Sequence, residues 1–378
     1  EYNNFYSSTY YDYSQPLEVI RYKAEGTTNF TSLLFIPSHA PFDLYSKEYK
    51  RGLELYSNGV LIMDKCEDLL PEYFGFVKGL VDSEDLSLNI SREILQQDKQ
   101  LKTIAKSIEK KIAKDLSEML KNDREKYEKF FKEFGVNIKM GIYNTFGMAK
   151  DELQDLLLFY SSKEKHLVTF KEYIKNLKDK QDVIYYAVGE STDKIDLMPQ
   201  VEEVKEKGYE ILYLTDYADE FVVQVLQNYD NKKFVNVASS EVNLENEEEK
   251  KEVEKLNTES KDLLDKMKDV LKDKVTSVKF TNSLKKHPVC LTSEGAISTG
   301  MEKVLNSMPT NEKVKASTVL SINASHPIAK KIKELYKTNP EEIEKYTKIL
   351  YAQAKLIEGL TLDNPSEISD LICEALSK

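Results

Sequence analysis

The most restrictive pattern in this chain lies between residues 183 and 228. Val183–Val188 reads as a buried strand and Gly189-Glu190-Ser191 as a turn, followed by a helix over 193–207 that Gly208 stops. Ile211–Leu214 reads as a second strand, and residues 218–228 as a second helix. A strand, a helix and another strand at this spacing form a parallel pair, because parallel neighbours need a long crossover, and that crossover is right-handed.

The rest of the chain is organised around this unit. Its 378 residues correspond to two to four domains at roughly 100–200 residues each. Apolar residues make up 40% and charged residues 31%, which is too apolar for disorder and too charged for a membrane protein. The formal net charge of -11 argues against bulk nucleic-acid binding. No apolar run reaches the roughly 18 residues of a membrane-spanning helix, and no signal peptide opens the chain. Cys66, Cys290 and Cys373 are far apart and without a CxxC, which suits reduced, buried thiols in a cytoplasmic protein.

Upstream, the chain opens on clustered aromatics (Tyr2, Phe5, Tyr6, Tyr10, Tyr11, Tyr13) and then turns strand-like. Leu33-Leu34-Phe35-Ile36 ends at Pro37, and Val60-Leu61-Ile62-Met63 follows the turn dipeptide Asn58-Gly59. Leu101, Ile104, Ile108, Ile112, Leu116 and Met119 recur at three- and four-residue steps, which predicts a long amphipathic helix. Further helix is expected over 124–134 and 150–159.

Downstream, residues 241–274 carry twelve acidic and eight basic side chains, marking a charged connector with a domain boundary near Glu247. Short strands are expected over 276–280, 289–292 and 319–322. Asn339-Pro340-Glu341-Glu342 and Asn364-Pro365-Ser366-Glu367 each suggest a helix with Asn at the N-cap and Pro at the first helical position. These two terminal amphipathic helices can pack on their own domain or on a second copy as a four-helix bundle.

The chemistry-bearing motifs are few. Gly295-Ala-Ile-Ser-Thr-Gly300 has the glycine spacing of a phosphate loop, but Met301-Glu302 stands where Lys-Ser/Thr is required. Only four arginines occur, Arg21, Arg51, Arg92 and Arg124, among 54 basic residues. Arg92 falls at the start of a helix, where the dipole disfavours a cation. An ion pair with Asp82, Glu84 or Asp85 is one reading; presentation of a planar five-donor fork to a phosphate is the other. A small-molecule enzyme with a pocket at the ends of the two parallel strands would have to use Glu190, Asp193 and Asp216.

Several blocks resemble one family. Leu33-Leu34-Phe35-Ile36-Pro37-Ser38, Ala40-Pro41-Phe42-Asp43-Leu44, Leu70-Pro71-Glu72-Tyr73 and Asn89-Ile90-Ser91-Arg92-Glu93-Ile94-Leu95-Gln96 are similar to the middle domain of the 90-kDa heat-shock chaperones, above all the bacterial high-temperature protein G branch. Asp219-Glu220-Phe221, His287-Pro288-Val289-Cys290 and Met301-Glu302-Lys303 continue the similarity. The resemblance implies a multidomain α+β and α/β chain in which an αβα middle domain precedes a mixed α/β dimerisation domain. Residues 1–122 would form a large ribosomal-S5-like sandwich, 123–160 a helical linker, 161–240 a small βαβα part, and 247–378 the C-terminal dimerisation domain. The N-terminal ATP-binding domain of the family has no counterpart here, in keeping with a first residue that is not Met.

The same resemblance implies the function and the site residues. It suggests part of an ATP-dependent cytoplasmic chaperone, with ATP and Mg bound by the full-length parent and no cofactor or metal in this stretch. Arg92 and Gln96 match catalytic-loop positions that act on ATP held by the missing domain. Leu61, Leu86 and Leu88 match positions that dock that domain, with Leu61 where phenylalanine is common and Ser87 in place of a common proline. Phe221, Ile297 and Met301 match client-binding positions. Ile343, Tyr346, Leu350, Ile357, Ile368, Leu371 and Ile372 match the dimerisation bundle, which favours the second-copy reading of the terminal helices. Partners implied are a second copy, unfolded or partly folded clients and a general chaperone of the 70-kDa class, with no nucleic acid and no membrane.

Overall fold

The structure is a computed structural model that describes residues 1–86, 99–179, 181–240, 242, 244, 247–309 and 313–377. These form a mixed α/β chain with three sheets, and its contacts divide into two compact units. The first comprises residues 1–158 with 169–171; the second comprises 159–168 with 172–378.

In the first unit, helix α1 (Tyr2–Tyr10) precedes strands β1 (Glu18–Ala24), β2 (Phe30–Ile36), β3 (Leu53–Ser57), β4 (Val60–Cys66) and β5 (Lys78–Asp82). The sheet order is β1-β2-β5-β3-β4. Asn58 and Gly59 join β3 to β4 with φ of 50° and 73°, the two positive values that a tight hairpin of this twist requires. Gly79 lies where β5 passes β2; a Cβ there would sit 2.2 Å from the Leu33 carbonyl oxygen, so no side chain fits. The opening aromatics form α1, and Tyr6 is fully buried with its ring 5.2 Å from that of Phe35.

Helix α2 (Lys99–Asn122) buries the six apolar residues that its periodicity marks, and its other face is solvated. Helix α3 (Arg124–Asn144), capped by the Asp123 side chain, adds Tyr127, Phe130, Phe134 and Ile138, with Phe134 stacked on Phe76 at 4.2 Å. Two expectations change here. The helix expected over 124–134 runs ten residues further, and the stretch 150–159 holds only the single turn α4 (Lys150–Leu153) and a 3-10 turn before a strand begins at Phe159. Leu156, Leu157, Leu158 and Phe159 are four consecutive buried residues, and a helix against one core buries only one face.

The second unit contains a six-stranded sheet and a three-stranded sheet. Strands β6 (Phe159–Ser161), β7 (Leu167–Val168), β8 (Val183–Val188), β9 (Ile211–Leu214), β10 (Asn228–Tyr229) and β11 (Lys232–Asn236) are arranged β10-β11-β8-β9-β6-β7. β8 and β9 pair in parallel, Tyr185 opposite Ile211, as their spacing predicts. The single helix expected between them is broken into α5 (Thr192–Asp196) and α6 (Pro199–Glu206), because Pro199 cannot continue a helix but suits the first position of a new one. Helix α7 (Asp219–Leu226) follows β9.

Beyond the charged helix α8 (Glu247–Glu259), which buries no residue, and α9 (Lys261–Leu271) comes the three-stranded sheet. Strands β12 (Ser277–Thr281), β13 (Val289–Glu294) and β14 (Ser317–Asn323) are ordered β12-β14-β13, with helix α10 (Thr299–Ser307) between β13 and β14. Helices α11 (Pro327–Thr338), α12 (Glu342–Ile357) and α13 (Pro365–Leu376) end the chain. Asn364 caps α13 as expected, accepting from the Glu367 amide at 3.3 Å. Asn339 instead closes the C-terminus of α11, and α12 starts at Glu342 without a side-chain cap. Cys66 and Cys290 are buried, whereas Cys373 on α13 is exposed, contrary to the expectation of three buried thiols. Among the described residues, no helix is long and apolar enough to cross a membrane.

Candidate functional site

Helix α7 and the segment leading into α10 form the best-defined polar and apolar assembly in the second unit. Glu220 and Gln224 stand one turn apart on α7, so both face the same neighbour. The Ser298 hydroxyl donates to Glu220 Oε2 at 2.5 Å and accepts from the Met301 amide at 3.1 Å, which makes it the N-cap of α10. Asn236 Nδ2 donates to the other Glu220 oxygen at 2.9 Å. Gln224 Nε2 donates to the Ala296 carbonyl at 2.6 Å and lies 2.8 Å from Met301 Sδ.

This clasp explains the local sequence. A Cβ at Gly300 would lie 3.1 Å from Val188 and 3.2 Å from the Glu220 carboxylate, so glycine allows the close approach. Glu220 is 3% exposed and forms no ion pair among the described residues. Burial pushes its carboxyl above the usual range, while hydrogen bonds from Ser298, Asn236 and Tyr186 act in the opposite direction. The near-phosphate-loop glycines 295 and 300 therefore build a helix start that is held by a carboxylate, a poor place for an anion. Phe221 and Ile297 are half-buried beside this clasp, and Met301 is buried within it.

A family model described as Hsp90 protein matches residues 1–378. The chain belongs to the Hsp90 family. It is 52% identical to the chaperone protein HtpG of Clostridium botulinum (strain Loch Maree), 53% to that of Alkaliphilus oremlandii and 50% to that of Bacillus subtilis. Each match covers 100% of this chain and 60% of the relative, so the chain spans about three fifths of the length of these curated relatives.

Arg92, Gln96 and Leu88 of this Hsp90-family chain lie outside the described residues. Next to them in sequence, Leu86 is buried and its carbonyl accepts from the Ser57 hydroxyl at 2.6 Å. Leu61 and its neighbour Val60, at the tip of the β3–β4 hairpin, are half exposed and offer apolar surface. Of the carboxylates of the rival enzyme reading, Asp193 is exposed and the other two have local roles. Glu190 pairs with Lys194 on the surface, and Asp216 accepts from the Ala218 amide in the turn before α7.

At the C-terminal end, Ile343 and Leu350 belong to the core formed with α9, α11 and the three-stranded sheet, and Tyr346 packs against it. Ile357, Ile368 and Leu371 are half-buried, while Ile372, Leu356 and Leu376 are exposed and α13 buries no residue at all. The loop between α12 and α13 is pinned by Asp363, which accepts from Lys274 at 2.8 Å and Lys355 at 3.0 Å. These two ammonium groups hold the Asp363 carboxyl down at about 2. At the end of α12, Glu358 accepts from Gln200 at 2.6 Å, and burial raises its carboxyl to about 7.

Sequence reading missed Ser298, Gln224 and Asp363 as functional or organising positions. Ser298 carried the only local signal, a serine three residues before Met301 at the start of an amphipathic stretch.

Proposed function

We propose that this chain is the client-binding and dimerising portion of an ATP-dependent Hsp90-type chaperone, and that Arg92 and Gln96 act on the γ-phosphate of ATP held by the N-terminal domain of the full-length parent. Clients would meet the surface around the α7–α10 clasp through the half-buried Phe221 and Ile297, whereas Met301 is buried and would act by supporting that surface from beneath. Leu61 would dock the ATP-binding domain. Its cytoplasmic location and cooperation with a 70-kDa-class chaperone follow from the same reading.

One observation carries the dimer. Helix α13 is amphipathic, with Ile368, Leu371, Ile372 and Leu376 at helical spacing, yet none of its residues is buried within this chain. Such a face is stable in water when a second copy covers it. Light scattering of the chain should report twice the mass of one copy, and removal of residues 364–378 should leave a monomer. A monomeric intact chain would overturn the reading.

A further inference from the structure

Ser57 is the last residue of β3, and alternation along the strand puts it on the same face as Leu53 and Leu55. All three are fully buried, so a hydroxyl stands where the pattern of the strand calls for an apolar side chain. A hydroxyl taken out of water needs a partner. Ser57 donates to the Leu86 carbonyl at 2.6 Å, and Asn58 Nδ2 lies 3.4 Å from the same hydroxyl.

Leu86 ends a segment that leaves β5 and is held from two sides. Toward the β3–β4 hairpin, the Ser83 amide donates to the Tyr56 carbonyl at 3.2 Å, and the Gly59 amide donates to the Asp82 carboxylate at 3.1 Å. Toward the β1–β2 turn, the Ser83 hydroxyl donates to the Asn29 carbonyl at 2.7 Å, and the Asn29 amide donates to Asp85 at 2.6 Å. The Ser57 bond is the last of these anchors in chain order, and Arg92 follows six residues after Leu86. The next residue, Ser87, has no ring to fix its own φ or to restrict Leu86 as a proline would. The hydrogen bond from Ser57 supplies at Leu86 a constraint that the covalent chain lacks.

We propose that Ser57 is a positioning residue for ATP turnover: its hydroxyl fixes the Leu86 carbonyl, and with it the point from which the chain departs toward Arg92 and Gln96. This rests on the catalytic role proposed for Arg92. Ser57 acts on geometry, by raising the fraction of molecules in which the arginine starts from the competent place. The Asp82, Ser83 and Asp85 bonds remain when this one is removed, so its loss loosens the exit at Leu86 and leaves the sheet paired.

The test is steady-state ATP hydrolysis by the full-length parent, well below its melting temperature. Ser57→Ala should lower kcat by about fivefold, the population shift worth one net hydrogen bond, and leave KM for ATP unchanged. Ser57→Thr keeps the hydroxyl, whereas Ser57→Val has the same shape without it. The first should retain turnover and the second should lose it, a comparison that separates hydrogen bonding from packing and serves if Ser57→Ala fails to fold. Added to Arg92→Ala, Ser57→Ala should cause no further loss, because both act on the same contact. Where Arg92→Ala lowers turnover, three results would each overturn the proposal: full kcat in Ser57→Ala, equal turnover of the Ser57→Thr and Ser57→Val variants, or a further fivefold loss on top of Arg92→Ala. Unchanged turnover in Arg92→Ala would remove the catalytic reading itself, and this inference with it.

Discussion

The Glu220 carboxylate, buried and without a cationic partner among the described residues, is held at 2.5 Å by the hydroxyl of Ser298, the same hydroxyl that caps helix α10. One hydroxyl thus ties the start of α10 to α7. Glu220→Ala leaves the Ser298 and Asn236 donors without an acceptor and should cost roughly 1–3 kcal/mol, whereas Glu220→Gln keeps an acceptor and should cost less. Denaturant titration of both variants checks the order. The pH dependence has a definite sign. Burial raises the folded-state pKa of this acid, so its contribution is fully present below the ordinary carboxylate range and is lost as pH rises through the folded value. Glu220→Gln should abolish that slope.

Asp363 behaves in the opposite way. Lys274 and Lys355 depress its carboxyl to about 2, so the stabilisation is present above the ordinary carboxylate value and disappears as pH falls from about 4 toward 2. The side chain is 62% exposed, and solvent screening limits the pair to roughly 0.2–1 kcal/mol. Asp363→Asn should therefore lower stability slightly at pH 7 and make no difference near pH 2. A penalty that persists at the acid end would mean that the two lysines are not its source.

Gly79→Ala should be far more damaging than most surface changes. Its φ is +145°, and the added methyl would meet the Leu33 carbonyl at 2.2 Å, which β2 cannot yield without breaking its pairing with β5. Overpacking of this kind costs about 1–3 kcal/mol. Thermal unfolding should show the first unit destabilised. Gly26→Ala, where no atom lies within 4 Å, provides the comparison.

Arg92→Ala in the full-length parent should lower ATP turnover by an amount equal to the loss of one transition-state donor, on the order of 2–4 kcal/mol. ATP affinity should change little, since the binding domain keeps its own contacts. Unchanged turnover would remove Arg92 from the proposed catalytic role.

Local pattern carried much of this molecule. The heptad-like spacing of Leu101 to Met119 sets which face of α2 is buried, and Asn58-Gly59 sets a hairpin, because both effects act within a few residues of chain. The parallel pairing of β8 with β9 was legible for the same reason: the connection is too long for a hairpin. Where the reading went astray, a competing local rule or a distant neighbour decided. Pro199 split one helix in two, and burial on every side turned residues 156–159 from helix to strand entry. The clasp of Glu220 on Ser298 and the pinning of Asp363 by Lys274 each join residues that are dozens of positions apart. Periodicity in sequence reports which way a side chain faces, but only the folded chain determines what stands opposite it. A lone carboxylate such as Glu220 becomes an organising group only when packing strips away its water and brings a hydroxyl to replace it.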